Sequence, residues 1–224
     1  MKPITQKNNF VYLFFSLVLF LFSAAIMSEF PGTIGQDIFS VVTILMLLLS
    51  LKSLRTEKTW IWAVYFLVVF YVILTVLGKV FEHELNVYLT LLILLMFFIG
   101  SFSRAAKQVL FVGDIDGNKI IGSLSLYMLL GLIWAVIYLL LLAMDPTAFS
   151  GIETAHWQQS FSRVAYYSFV TLTTLGYGDV LPTNHLSEFF VYLEAIIGVF
   201  YMAIIVASLI SLHLSALDKE RREK

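Results

Sequence analysis

Residues 171–179 read Thr-Leu-Thr-Thr-Leu-Gly-Tyr-Gly-Asp and lie between two long apolar segments. Gly176 and Gly178 are two residues apart, and glycine adopts left-handed backbone angles at little cost. If these glycines alternate with residues of ordinary handedness, the carbonyl groups of residues 174–177 all face one side. Such a row of bare oxygens can replace the water shell of a dehydrated cation. The pattern therefore predicts a cation-binding stretch of backbone.

This stretch closely resembles the potassium-channel signature, in which a Thr-Val-Gly-Tyr-Gly loop from each of four subunits lines the selectivity filter. Leu175 replaces the valine, which is compatible because this residue gives only its carbonyl to the ion path. The resemblance covers residues 120–214 and implies a bacterial-type six-helix channel subunit. It implies five residues that bind potassium: Thr174, Leu175, Gly176, Tyr177 and Gly178. The Thr174 hydroxyl would be the innermost ligand.

A lone Gly-Tyr-Gly also occurs in ordinary glycine-rich turns, so the context of the signature matters. Here threonines precede it, Asp179 follows it, and segments of membrane length flank it on both sides. These flanking features favour a pore over an extracellular turn.

The composition is that of a membrane protein. Of the 224 residues, 60% are hydrophobic and 13% are charged, whereas soluble domains are about half apolar and about a quarter charged. The formal net charge of −1 gives no indication of nucleic-acid binding, and the absence of cysteine excludes disulfides and thiolate metal sites. We find no acid–base or metal constellation, so we predict no enzyme activity and no cofactor other than permeant potassium.

Six apolar segments approach the roughly 20 residues that a bilayer requires. They are Phe10–Met27, Ile38–Leu51, Trp60–Leu77, Asn86–Phe102, Ile120–Met144 and Leu186–Leu214. Between the last two, Ser160–Thr173 would be a helix of roughly 21 Å at 1.5 Å per residue. Because the hydrocarbon core is about 30 Å thick, this helix is predicted to be re-entrant.

The distribution of basic residues predicts the orientation through the positive-inside rule. With the amino terminus in the cytoplasm, only Lys79 and Arg163 of the 14 Lys and Arg residues lie outside. Six crossings return the carboxyl terminus to the cytoplasm, and the signature then opens to the outside. We therefore expect a multi-pass protein of the cell membrane with both termini cytoplasmic.

Several residues near the signature are candidates to support it. Thr173 closes the carbonyl end of the re-entrant helix. Tyr166 and Tyr167 stand where related channels carry an aromatic pair that packs around the filter, although interfacial aromatics are common in any membrane protein. We expect Tyr167 to be the hydrogen-bond partner of Asp179.

Two residues of the last span are also candidates. Glu194 is an ionisable group within a membrane helix, and such groups usually face protein or water and serve a function. We predict that it supports the signature from behind through hydroxyl groups, the alternative being a carboxylate that attracts cations near a wet cavity. Gly198 resembles the gating hinge of related inner helices, but a glycine there also permits close helix contact.

The first four spans lack the charges of a voltage sensor. Their interiors contain no Lys, Arg, Asp or Glu, whereas steep voltage gating requires several charges that cross the field. Arg104 and Lys107 lie past the predicted end of the fourth span and are interpreted as topology determinants. We expect these spans to form a peripheral collar or a docking surface for lipid or protein. His83 and His213 are histidines that could titrate near neutrality, and we interpret them as bystanders.

The combined prediction is an all-α integral membrane protein with six transmembrane helices, a re-entrant pore helix and a selectivity-filter loop. The four parts are a peripheral four-helix domain at 1–109, a cytoplasmic linker at 110–119, a pore domain at 120–217 and a short basic tail at 218–224. One loop supplies a quarter of a ring, so we predict a homotetramer surrounded by lipid, with neither nucleic acid nor a soluble protein as partner. The function would be passive, selective permeation of potassium. The alternatives are a non-selective cation channel and a non-conducting scaffold or regulatory subunit.

Overall fold

The computed structural model describes residues 9–27, 33–53, 58–81, 84–111, 117–153 and 156–222. Within these ranges the chain forms seven helices and two short strands. In order they are α1 (Asn9–Met27), α2 (Thr33–Ser53), α3 (Lys58–Val80), α4 (Glu84–Phe111), α5 (Gly117–Met144), β1 (Phe149–Ser150), α6 (Trp157–Leu172), β2 (Leu181–Pro182) and α7 (His185–Arg222).

Six of these helices, all except α6, are long and apolar enough to cross a membrane. The predicted all-α membrane architecture is confirmed at this level, because the only strands among the described residues are two residues long. Helix α6 has 16 residues and spans roughly 24 Å at 1.5 Å per residue, which is shorter than the hydrocarbon core.

Several helices extend further than their apolar segments. Helix α4 continues to Phe111, so Arg104 and Lys107 lie on this helix and not beyond it. Helix α7 continues to Arg222, so much of the predicted tail is helical. The hydropathy pattern marks only the part of a helix that suits a bilayer, whereas the helix itself runs on into polar sequence. His83 and half of the predicted linker, residues 112–116, lie outside the described residues.

Helix α5 is the centre of the packing. It contacts α1, α4, α6 and α7, and 67% of its membrane-length segment is buried inside the subunit. Tyr88 on α4 donates a hydrogen bond of 2.6 Å to the Ala143 carbonyl, and Tyr201 on α7 donates one of 2.6 Å to the Ser123 carbonyl. Helix α5 therefore joins the first four helices, which we call the collar, to α6 and α7.

The collar packs on α6 within the same chain through aromatic side chains. Phe20 on α1 stacks on Phe39 of α2 with ring centroids 5.2 Å apart. Both rings contact Phe161 of α6, at 5.1 and 5.3 Å, and all three side chains are fully buried. Aromatic pairs at this distance stabilise packing by about 0.5–1.5 kcal/mol beyond the buried area.

The segments on either side of α6 are joined by the two strands. Phe149 pairs with Pro182 and Ser150 with Leu181 in an antiparallel arrangement. Nearby, Asp145 accepts hydrogen bonds from the amide and hydroxyl of Thr147 and from the Asn184 side chain. The Thr147 hydrogen bonds hold the pKa of Asp145 below its ordinary value. These contacts tie the end of α5 to the start of α7.

Candidate functional site

The loop that follows α6, residues 173–179, carries the sequence signature and is called the signature loop. Its backbone φ is positive at three alternate residues: 59° at Thr174, 55° at Gly176 and 78° at Gly178. The two glycines adopt the left-handed angles that the sequence predicts. Thr174 was not expected to do so, because a β-branched residue with positive φ is an outlier. Its amide donates a hydrogen bond of 2.9 Å to the Thr171 carbonyl, which holds this turn.

The carbonyl end of α6 leads directly into the signature loop. The amides of Thr173 and Leu175 donate to the Phe169 and Val170 carbonyls, at 3.0 and 2.9 Å. The Thr173 hydroxyl also donates to the Phe169 carbonyl at 2.7 Å. Thr173 thus closes the last turn of the helix, and the negative end of the helix dipole lies next to the loop.

The signature loop is exposed on the subunit surface. All residues from Thr173 to Asp179 are exposed, and the side chains of Leu175 and Tyr177 are 54% and 67% accessible. In the described part of the chain, no heavy atom other than those of the adjacent residues lies within 4 Å of a Cβ added at Gly176 or Gly178. The loop is therefore free on one side to meet ions or other copies of the chain.

Asp179 pairs with Arg163, which also contacts the Tyr166 ring. The Arg163 guanidinium lies 2.9 Å from the Asp179 carboxylate and 5.2 Å from the centre of the Tyr166 ring. The Arg163 guanidinium therefore lies between the Asp179 carboxylate and the Tyr166 ring. Arg163 was not singled out from the sequence, where it counted only as a residue outside the membrane.

The structure corrects the prediction for Tyr167. We expected this residue to bond Asp179, but its ring is buried and packs on Tyr138 and Phe149, with centroids 5.5 and 5.6 Å apart. Neighbouring residues on a helix point about 100° apart, so only one of Tyr166 and Tyr167 can face Asp179. The aromatic pair does adjoin the loop, with one member at its surface and one beneath it.

Glu194 lies fully buried between three helices. One carboxylate oxygen is 2.6 Å from the Ser168 hydroxyl on α6, and the other is bonded by the Tyr138 hydroxyl on α5. The sequence predicted hydroxyl partners on the re-entrant helix, and Ser168 is one. Tyr138 was missed, because 56 residues separate it from Glu194 and nothing in its own segment marks it.

The hydrogen bonds around Ser168 indicate that the Glu194 carboxyl group carries a proton. Its hydroxyl lies 2.8 Å from the Gly131 carbonyl as well as 2.6 Å from Glu194, yet it has a single hydrogen to donate. A proton on Glu194 satisfies both contacts, because Glu194 then donates to Ser168 and Ser168 donates to Gly131. The result is a chain of hydrogen bonds from α7 through α6 to α5.

Gly198 packs directly against the end of α6. A Cβ added at this position would lie 2.4 Å from the Leu172 carbonyl oxygen. That carbonyl also accepts a hydrogen bond of 3.2 Å from the Tyr127 hydroxyl on α5. Of the two interpretations offered by the sequence, close helix contact is therefore present, and the hinge stays a prediction.

The functional residues form two groups. The signature loop with Arg163 and Tyr166 lies at the surface, and the buried group of Glu194, Ser168 and Tyr138 lies behind α6. Among the described residues, no group of three or more His, Cys, Asp or Glu side chains could hold a metal ion.

Residues 124–213 match a family model described as an ion channel. The matched stretch runs from within α5 through the signature loop into α7. Together with the six apolar helices, the match supports an ion channel that lies in a membrane. Comparison with curated proteins and with solved structures gives no match.

Proposed function

We propose that the chain is one subunit of a potassium-selective channel. The observation that carries this proposal is the alternation of positive φ at Thr174, Gly176 and Gly178 directly after the short helix α6. This alternation allows the carbonyls of residues 174–177 to face one side, where they would coordinate dehydrated potassium. Non-helical backbone at membrane depth is tolerated only where it is buried in protein or lines water, which is the situation of a pore.

The proposed pore requires four copies around one axis, since each loop supplies a quarter of the ring. Two surfaces are suited to this assembly. One is the exposed signature loop, and the other is the apolar face of α7, where Tyr192, Val199 and Phe200 are at least half exposed. Only 17% of the membrane-length segment of α7 is buried inside the subunit, which leaves this face for other subunits or lipid.

The collar is proposed to be structural and not voltage-sensing. In its described part, charged side chains lie near the ends of the helices, as in the Lys79–Asp37 ion pair of 2.5 Å between α3 and α2. Arg104 lies 3.7 Å from the centre of the Trp60 ring, near the start of α3. We therefore expect a shallow conductance–voltage curve, and a steep curve that collar mutations abolish would contradict this.

The placement of both termini in the cytoplasm rests on the positive-inside rule. The chain has no cysteine, so single cysteines introduced at Lys2 and Lys224 provide clean probes. Both are expected to resist an impermeant thiol reagent added outside intact cells.

Potassium flux from purified protein in liposomes tests the proposed function. We expect potassium efflux that sodium does not replace. Equal passage of both ions would favour the non-selective channel, and absence of flux from correctly assembled protein would favour a scaffold or regulatory subunit.

A further inference from the structure

Leu172 is the last residue of α6, and its carbonyl is bonded from another helix. The carbonyls in the last turn of a helix have no partner within the helix and need one elsewhere. The carbonyls of residues 169–171 accept hydrogen bonds from amides of the signature loop. The Leu172 carbonyl accepts one of 3.2 Å from the Tyr127 hydroxyl on α5. Because Leu172 is buried, this hydroxyl serves where water serves at an exposed helix end.

Tyr127 is in turn held by α7. The Tyr201 ring of α7 lies against the Tyr127 ring, with centroids 5.4 Å apart. The Tyr201 hydroxyl donates a hydrogen bond of 2.6 Å to the Ser123 carbonyl, one turn before Tyr127 on α5. Gly198 lies three residues before Tyr201, on the same side of α7, and a Cβ added there would lie 2.4 Å from the Leu172 carbonyl oxygen. The backbone of α7 therefore approaches the same carbonyl that Tyr127 bonds.

The orientation of the Leu172 carbonyl affects the start of the signature loop. This carbonyl and the Thr173 amide belong to one planar peptide unit, so a rotation of one group rotates the other. The Thr173 amide donates to the Phe169 carbonyl at 3.0 Å, which means that both ends of the peptide unit are bonded. Thr174 follows directly, with a φ of 59°. The hydrogen bond from Tyr127 therefore acts at the residue before the first positive φ of the loop is reached.

We propose that Tyr127 is a positioning residue for the innermost cation site of the signature loop, and that Tyr201 holds the Tyr127 ring in place. The inference rests on the proposed channel function, in which Thr174 supplies the innermost ligand. The Tyr127 hydroxyl fixes the peptide unit between Leu172 and Thr173 and so preorganises Thr174 for a dehydrated cation. Tyr127 acts through the backbone and is not itself an ion ligand.

Barium block of the potassium current in inside-out membrane patches tests this role. Barium is a divalent cation close to potassium in size, and from the cytoplasmic side it reaches the innermost site of the proposed pore first. Tyr127→Phe removes the hydroxyl and keeps the ring. We expect the half-blocking barium concentration to rise about threefold to tenfold, because the loss of one hydrogen bond typically changes an equilibrium by about this factor.

Tyr88→Phe is the matched control. Tyr88 of α4 also donates its hydroxyl hydrogen to a carbonyl of another helix, that of Ala143 at 2.6 Å, but this bond joins the collar to α5. Both substitutions should lower the unfolding temperature, whereas only Tyr127→Phe should change the barium block. A lower unfolding temperature with wild-type block in Tyr127→Phe would assign Tyr127 a structural role alone and overturn the proposal. An equal change of block in Tyr88→Phe would overturn it as well.

Tyr201→Phe tests the second member of the pair. This substitution removes the hydrogen bond to the Ser123 carbonyl and keeps the ring contact with Tyr127. The half-blocking barium concentration should rise, by a smaller factor than in Tyr127→Phe, and an unchanged block would overturn the part assigned to Tyr201. These outcomes leave the proposed channel function standing, whereas absence of potassium current from the wild type overturns that function and this inference together.

Discussion

The collar and the pore half, which comprises α5, α6, α7 and the signature loop, differ in whether their side-chain hydroxyl groups join one helix to another. In the collar, the hydroxyls of Ser16, Ser23 and Thr43 bond carbonyls of their own helix. In the pore half, the hydroxyls of Tyr127 and Tyr201 bond carbonyls of another helix. A hydrogen bond between two helices fixes their relative position, whereas apolar packing tolerates the exchange of one apolar side chain for another of similar volume. The pore half is therefore expected to be the more sensitive to small substitutions.

Among substitutions in the two regions, Gly176→Ala in the signature loop is expected to have the largest effect. The residue has φ of 55°, and a side chain in this conformation costs about 1–2 kcal/mol. The strain should turn the carbonyls of the signature loop and abolish the preference for potassium over sodium. Relative permeability from reversal potentials measures this.

Gly117→Ala is the matched control for this change, because Gly117 has no positive φ and, among the described residues other than its chain neighbours, no atom lies within 4 Å of an added Cβ. It should leave selectivity at the wild-type value. Full potassium selectivity in Gly176→Ala would show that the loop does not line the ion path.

Glu194 is the next most sensitive position. Glu194→Ala removes the partner of Ser168 and Tyr138 and should destabilise the assembled protein by about 1–3 kcal/mol, with loss of sustained potassium current. Glu194→Gln should behave nearly as the wild type, because the glutamine amide donates to Ser168 and its oxygen accepts from Tyr138, as in protonated Glu194. Thermal unfolding and current decay measure the two effects. An alanine variant as stable and conductive as the glutamine variant would contradict the supporting role.

Gly198→Ala distinguishes two roles of this glycine, close contact between helices and a gating hinge. The added Cβ would lie 2.4 Å from the Leu172 carbonyl, and overpacking of this kind costs about 1–3 kcal/mol. We expect a lower unfolding temperature together with reduced current, and Gly117→Ala again serves as the control. Reduced opening with unchanged stability would instead support a hinge.

A substitution in the collar should affect stability alone. Phe20→Leu loses the ring contacts with Phe39 and Phe161 and should cost about 1 kcal/mol. The unfolding temperature should fall while the reversal potential stays at the wild-type value. A change in ion selectivity would show that the collar sets the geometry of the loop.

The smallest effect is expected for Asp145→Asn, outside the membrane spans. Because the pKa of Asp145 is lowered in the folded protein, its contribution to stability is present above the ordinary pKa of about 3.8 and is lost as the pH falls through the folded value. The wild type should therefore unfold at a slightly higher temperature than the variant at neutral pH. The two should converge in strong acid, and a difference that persists there would exclude the charge as the cause.

The sequence predicts the apolar helices and the backbone of the signature loop because these depend on local properties. Hydropathy marks the spans, and glycine permits the positive φ at residues 176 and 178. The positive φ of Thr174 was not predictable, since the threonine side chain disfavours it and only the turn onto the Thr171 carbonyl holds it.

Contacts between segments that are far apart in the chain could not be predicted from the sequence. A buried acid such as Glu194 can be recognised by its position in an apolar helix, but its partner Tyr138 comes from α5 and is identified only by the packing. The choice between Tyr166 and Tyr167 for Asp179 depends on the rotation of α6, which hydropathy does not fix.

The most direct measurement is the reversal potential of purified protein in a planar bilayer, with potassium on one side and sodium at the same concentration on the other. A carbonyl-lined pore predicts current that reverses far from zero, toward the equilibrium potential of potassium. Current that reverses near zero would contradict potassium selectivity, and assembled protein that carries no current would contradict the pore itself.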